Sequence, residues 1–234
     1  MWKFYILIVS GAGLLACSSY HVTNVSSNIQ PLDSLVQIDQ TVDQLIAPYR
    51  DTLQHEMGNV VATSPLDMVV GRPSSVLGNW VADALFLNQT KTVRLRQPVM
   101  CLLNTGGIRS TINKGDITLG DMYRIMPFDN EVVWVEVPAT SLLEIESFLR
   151  KTTGEPLANA SVKNGKLMVN GWTDTTTCFW VITSDYLANG GDKMTFFSKS
   201  RAVNRTGKLL RDILIEEAIQ QQSLVADSSI RIQW

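Results

Sequence analysis

The sequence predicts an α+β fold, and three observations lead to it. Hydrophobic residues make up 45% of the 234 positions and charged residues 18%, enough apolar material to bury a core. Apolar segments of both helical and strand periodicity are present. Their order lacks the regular βαβ alternation of a doubly wound sheet, and no internal repeat is visible.

The elements follow in chain order. Residues 1–16 read as a signal peptide: Met1-Trp2-Lys3 precedes the largely apolar run Phe4 to Ala16, too short for the roughly 20 apolar residues of a spanning helix. Leu14-Leu15-Ala16-Cys17 resembles the lipobox of bacterial lipoproteins, where cleavage precedes a lipidated cysteine. An ordinary secretory signal with an incidental Cys17 is the plainer alternative. The lipobox reading makes the chain an outer-membrane lipoprotein, since Ser18 rather than Asp follows the cysteine, facing either the periplasm or the cell surface. Residues 17–36 are Ser- and Asn-rich and read as a flexible tether, and 37–234 as the globular domain.

Within that domain Asp39 is a candidate N-cap. Val42, Leu45, Ile46, Tyr49 and Leu53 follow helical spacing up to Gly58, with Pro48 a point of bending. Val60-Val61 reads as a short strand. Ser74 or Ser75 caps a helix reaching about Phe86, with Leu77, Val81, Ala84 and Leu85 on one face. Pro98 to Leu103 is a buried strand and Val132 to Val137 another. A helix with Leu142, Ile145 and Leu149 inward closes at Gly154. Lys166 to Val169 with the Asn170-Gly171 turn signal, and Thr176 to Thr183, add strands. A last helix is expected from about Thr206 to Gln221, and Ile230 and Ile232 suggest a closing strand.

Composition also excludes functions. Twenty Lys and Arg against 22 Asp and Glu give a net charge of −2 with no basic cluster, which argues against a nucleic-acid polymer as partner. The two histidines, His21 and His55, are too few for a dinuclear hydrolytic metal centre. Cys101 and Cys178 lie in apolar strand-like runs, where two buried thiols or a disulfide are both open.

Three loops carry candidate chemistry. Asn104-Thr105-Gly106-Gly107-Ile108-Arg109 follows a strand, so glycines let the backbone approach a ligand while Asn104 and Arg109 supply directed hydrogen bonds. A Gly-Gly turn with a solvated Arg is the bland alternative. Pro127-Phe128-Asp129-Asn130 offers an aromatic ring for stacking, or a plug for the core edge. Tyr186 followed by Gly190-Gly191-Asp192 offers a second ring and a carboxylate, or a loop with a capping Asp.

In order and spacing these loops resemble the C-terminal domain of the 5'-nucleotidase and UDP-sugar hydrolase family. The resemblance runs from about Asp39 to the C-terminus. It includes the helix from Gln40 to Met57, Leu77-Gly78-Asn79-Trp80-Val81-Ala82-Asp83-Ala84, Gly115-Asp116-Ile117-Thr118 and Thr183 to Asp192. It implies a four-layer α/β/β/α sandwich that recognises the nucleotide, with Phe128 and Tyr186 around the base and Asp192 on the ribose hydroxyls. Asn104 and Arg109 would hold the sugar and phosphate side, Arg72 would be a further phosphate contact, and Gly107 and Asn130 complete the set. Tyr186 stands where many members have Phe, and Arg72 falls outside a tight motif.

The Asp-x-His and Gly-Asn-His-Asp/Glu motifs of the family's metal domain do not occur in the sequence. The resemblance therefore implies a nucleotide- or nucleoside-recognition component that binds no metal itself and acts with a separate metallophosphatase chain carrying the divalent metals. Two other readings are a non-catalytic nucleotide- or nucleoside-binding surface lipoprotein and an interaction lipoprotein whose site has decayed.

Overall fold

The computed structural model describes Asn24, Ser26, Ser27 and residues 38–234. The signal peptide 1–16, Cys17 and almost all of the tether expected over 17–36 lie outside the described residues. The chain divides into two compact units, 1–46 and 47–234. Helix α1 spans Gln40–Met57, and Asp39 caps it as expected, its Oδ1 accepting from the backbone N–H of Thr41 at 2.8 Å and of Val42 at 3.2 Å. The helix buries none of its residues, so Val42, Leu45, Ile46, Tyr49 and Leu53 are exposed.

In the second unit the centre is a five-stranded mixed sheet ordered β5-β2-β8-β4-β9. Its strands are β2 (Val99–Leu102), β4 (Glu131–Pro138), β5 (Leu157–Ala158), β8 (Cys178–Ser184) and β9 (Ala202–Leu209). β2 and β8 run parallel, while β4 runs antiparallel to β8 with Val132 opposite Ser184. β2 is buried throughout, which its continuous apolar run Val99-Met100-Cys101-Leu102 requires of a central strand. Two small antiparallel sheets complete the set: β1 (Val60–Ser64) with β3 (Gly115–Thr118), and β6 (Ala160–Lys163) with β7 (Lys166–Val169).

Helix α2 (Val76–Thr90) starts at Ser75, whose Oγ accepts from Gly78 N, and packs Leu77, Val81, Ala84 and Leu85 into the core against β2 and β5. It runs one turn beyond the expected end near Phe86. The polar residues there hold it: Thr90 Oγ1 donates to Phe86 O, and buried Asn88 donates to Glu217 Oε1 at 2.9 Å on the last helix. Helix α3 (Leu119–Ile125) opens with a reciprocal capping box between Thr118 and Asp121. Helix α4 (Ser141–Lys151) buries Ile145 and Leu149 and packs on β4 and β7. A short helix α5 (Asp185–Ala188) follows β8, and α6 (Leu210–Gln221) packs on α2 and β1.

Two expectations need correction. The last helix begins at Leu210 rather than near Thr206, because Ala202–Leu209 pairs with the free edge of β4 as β9. Arg201-Ala202-Val203-Asn204-Arg205 lacks alternation because β9 is an edge strand open to solvent on most of its length. Lys166–Val169 is a strand that ends in a turn at Asn170-Gly171 as expected, and the hairpin turn joining it to β6 is Asn164-Gly165, both with positive φ (49° and 74°). Ile230 and Ile232 form no closing strand; only a single bridge joins Ile232 to Val162. Backbone hydrogen bonds from Val162 N to Arg231 O and from Gln233 N to Val162 O, both 2.8 Å, hold that segment together with ions: Arg231 pairs with Asp83 on α2 and with Asp227, and donates to Leu157 O at 2.6 Å.

Cys101 and Cys178 are both buried free thiols, which removes the disulfide alternative. They lie on strands β2 and β8, where Cys101 faces Ile182 and Cys178 faces Pro138, so neither is opposite the other.

Candidate functional site

Sheet topology decides where the three candidate loops meet. Asn104 lies just after β2, Asp185 opens directly from the end of β8, and Asn130 directly precedes β4. Because β2 and β8 are parallel, their C-terminal ends share one edge of the sheet, and antiparallel β4 begins at that edge. Loops separated by many residues are thereby delivered to one place, a common position for binding sites in α/β architectures.

There they enclose a cavity of about 380 Å³ lined by Asn104, Gly106, Gly107, Arg109, Phe128, Asn130, Tyr186 and Asp192. Seven of the eight residues chosen from sequence line it, and Gly106 joins them. Phe128 is 40% exposed and Tyr186 47%, so both rings present surface that folding left uncovered. Phe128 is thus not a plug for the core. The Arg109 guanidinium lies 5.9 Å from the centroid of the Phe128 ring, and its Nη1 donates to Gly106 O at 3.1 Å.

Asp192 is the polar hub. Its Oδ1 accepts from the Tyr186 phenol at 2.8 Å, its Oδ2 accepts from Asn104 Nδ2 at 2.7 Å, and its own N–H donates to the phenol oxygen at 3.3 Å. The bond to Asp192 raises the Tyr186 phenol above its ordinary value, because a phenolate would lose that bond and stand beside a carboxylate. Asp192 sits in the left-handed region with φ 49°, a conformation that a short Asp side chain tolerates. Two glycines make room for this arrangement. A Cβ on Gly107 would lie 2.7 Å from Asn104 Oδ1, and one on Gly191 would lie 2.5 Å from the Tyr186 ring.

Arg72 does not line the cavity. Its Nε donates to Gly154 O at 2.8 Å and its Nη2 to Glu155 Oε1 at 2.6 Å. Buried Glu155 also takes the backbone N–H of Thr105 at 2.6 Å and its hydroxyl at 2.7 Å, so the Arg72–Glu155 pair holds the glycine turn from behind.

Sequence reading missed three residues that position the site. Asp185 Oδ1 accepts from Tyr186 N at 2.8 Å and from Glu131 N at 3.1 Å, fixing the start of α5 to the end of the Phe128 loop. Arg211 on α6, 8% exposed, donates to Asp129 Oδ1 at 2.6 Å and lies 4.3 Å from the Tyr123 ring centroid. Glu155 was the third. A carboxylate beside Pro156 and an arginine opening a helix carry no local motif, so only the three-dimensional pairing exposes them. Among the described residues, no three His, Cys, Asp or Glu side chains gather in a way that could hold a metal ion. His55 lies on α1, and His21 is outside the described residues.

Comparison with known proteins agrees with this architecture. The family 5'-nucleotidase, C-terminal domain, matches residues 60–145. The match lies within the globular body and includes the glycine turn after β2 and the Phe128 loop. The fold is close to that of a 5'-nucleotidase precursor from Thermus thermophilus, with a TM-score of 0.67 at 24% identity over 82% of this chain and 43% of that one. The domain is 30% identical over 115 residues to Endonuclease YhcR of Bacillus subtilis (strain 168), covering 48% of this chain and 9% of the relative. It is 25% identical over 205 residues to the Trifunctional nucleotide phosphoesterase protein YfkN of the same organism, covering 76% of this chain and 14% of the relative. The chain therefore spans only a small part of the length of these two relatives.

Proposed function

We propose that this 5'-nucleotidase C-terminal-type domain recognises a nucleotide or nucleoside for phosphoester hydrolysis in nucleotide catabolism. The observation that carries the reading is the pair of exposed rings, Phe128 and Tyr186, flanking a cavity whose wall holds Asp192, Asn104 and Arg109. A base between the rings gains stacking on both faces. Asp192 keeps acceptor capacity for ribose hydroxyls, since a carboxylate offers about four lone-pair sites and two protein side chains occupy only some of them. Arg109, held by a single hydrogen bond to Gly106 O, keeps donors for a phosphate. The kinship with nucleotide phosphoesterases supports the same substrate class.

This reading assigns no chemical step to the described residues. In this reading a separate metallophosphatase chain supplies the divalent metals, and this chain supplies affinity and specificity. A lipidated Cys17 anchors it at the outer membrane, facing the periplasm or the cell surface; mass spectrometry of the mature N-terminus tests that anchor.

Calorimetric titration with AMP and adenosine, joined to phosphate-release assays with and without divalent metal, tests the function. Binding without release supports a recognition component. Full metal-dependent hydrolysis by the purified chain overturns the division of labour, and absence of binding overturns the recognition role.

A further inference from the structure

A second cavity, of about 450 Å³, lies on the central sheet and shares no lining residue with the first. Its floor carries Trp134 of β4 and Trp180 of β8, and its rim is formed by 93–97 and by Asn204, Arg205 and Thr206. The two indoles meet edge to face, 6.3 Å between centroids at 69°. Each is fixed by its own N–H: Trp134 Nε1 donates to Gln89 Oε1 at 3.1 Å and Trp180 Nε1 to Gln97 Oε1 at 2.6 Å. With those polar edges satisfied, the surface these rings offer to the cavity is π face and ring edge.

The rim is basic. Arg205 is paired with Glu131, whereas Arg94 and Arg96 are exposed and, among the described residues, have no carboxylate within ion-pair distance. Unpaired guanidinium groups beside partly exposed indoles match one kind of occupant, a flat ring that ends in a negative charge. We propose that this cavity binds a planar aromatic anion, its ring against Trp134 and Trp180 and its phosphate, sulfonate or carboxylate held by Arg94 and Arg96. The proposal does not depend on nucleotide recognition at the first cavity, which contains no tryptophan.

Naphthyl phosphate is a suitable probe, with the indole N–H signals of the full chain followed by two-dimensional NMR. Saturable shifts of the Trp134 and Trp180 signals are expected. An Arg94→Ala, Arg96→Ala double variant, altering two exposed residues, should weaken that binding by about tenfold or more. Neutral naphthol should bind less tightly than the phosphate, and Phe128→Ala should leave the indole shifts intact. The proposal is overturned if neither indole responds, if the double variant responds like the parent, or if Phe128→Ala abolishes the response.

Discussion

Asn104 donates from Nδ2 to Asp192 Oδ2 at 2.7 Å, joining the glycine turn after β2 to the turn after α5. The bond fixes the orientation of the Asp192 carboxylate before any ligand arrives, and Tyr186 completes the same arrangement through Oδ1. Such preorganisation lowers the ordering cost of binding. Asn104→Ala should therefore weaken adenosine binding by about 1 kcal/mol or more, comparable to the net worth of a typical hydrogen bond, as read by calorimetry.

The Tyr186 phenol should ionise above its ordinary value of 10.0, because its hydrogen bond to Asp192 favours the protonated form. Its contribution to stability is full below pH 10 and fades as pH rises through the raised folded-state value, since the unfolded chain then releases the proton first. Ultraviolet titration of phenolate in the parent, in Tyr186→Phe and in Asp192→Asn checks this. Asp192→Asn should return the Tyr186 transition toward the ordinary range.

Glu155→Gln should loosen the glycine turn from behind. It replaces an acceptor of the Thr105 N–H and hydroxyl and leaves Arg72 without its charge partner. Arg72 is half exposed, so solvent screens part of that loss, and a stability decrease of about 1 to 2 kcal/mol is expected in denaturant unfolding. Ligand affinity should fall in the same variant although Glu155 does not line the cavity.

How much of this was legible follows from where each signal lives. The candidate residues of the first cavity sit in short blocks directly attached to strand ends, and strand periodicity with glycine turns is a local property that sequence displays. Their convergence depends on β2 and β8 being parallel neighbours with β4 antiparallel between β8 and β9, which no local pattern encodes. β9 was hidden for the same reason: an exposed edge strand needs no alternating pattern, and its pairing with β4 defines it. Arg72 illustrates the converse error, a chemically apt side chain whose nearest carboxylate, Glu155, lies 83 residues on and claims it.

The C-terminal segment makes an acid-stability prediction. Asp227 is held below the ordinary carboxylate value of 3.8, chiefly by its hydrogen bond from Arg231. Its stabilisation is present above that value and is lost as pH falls through the lower folded-state value, because the unfolded state takes up the proton first. Asp227→Asn should flatten the acid loss of stability in that window. Arg231→Ala should cost about 2 kcal/mol at neutral pH, less than the roughly 3 to 5 kcal/mol of a fully buried pair because Asp83 and Asp227 are partly exposed.

The central claim is that Phe128 and Tyr186 hold a nucleobase, and calorimetric titration of adenosine into the parent chain and Phe128→Ala tests it most directly. The account predicts one-site binding that weakens by about 1 to 3 kcal/mol in the folded variant. Equal affinity for adenosine in the two proteins would contradict it.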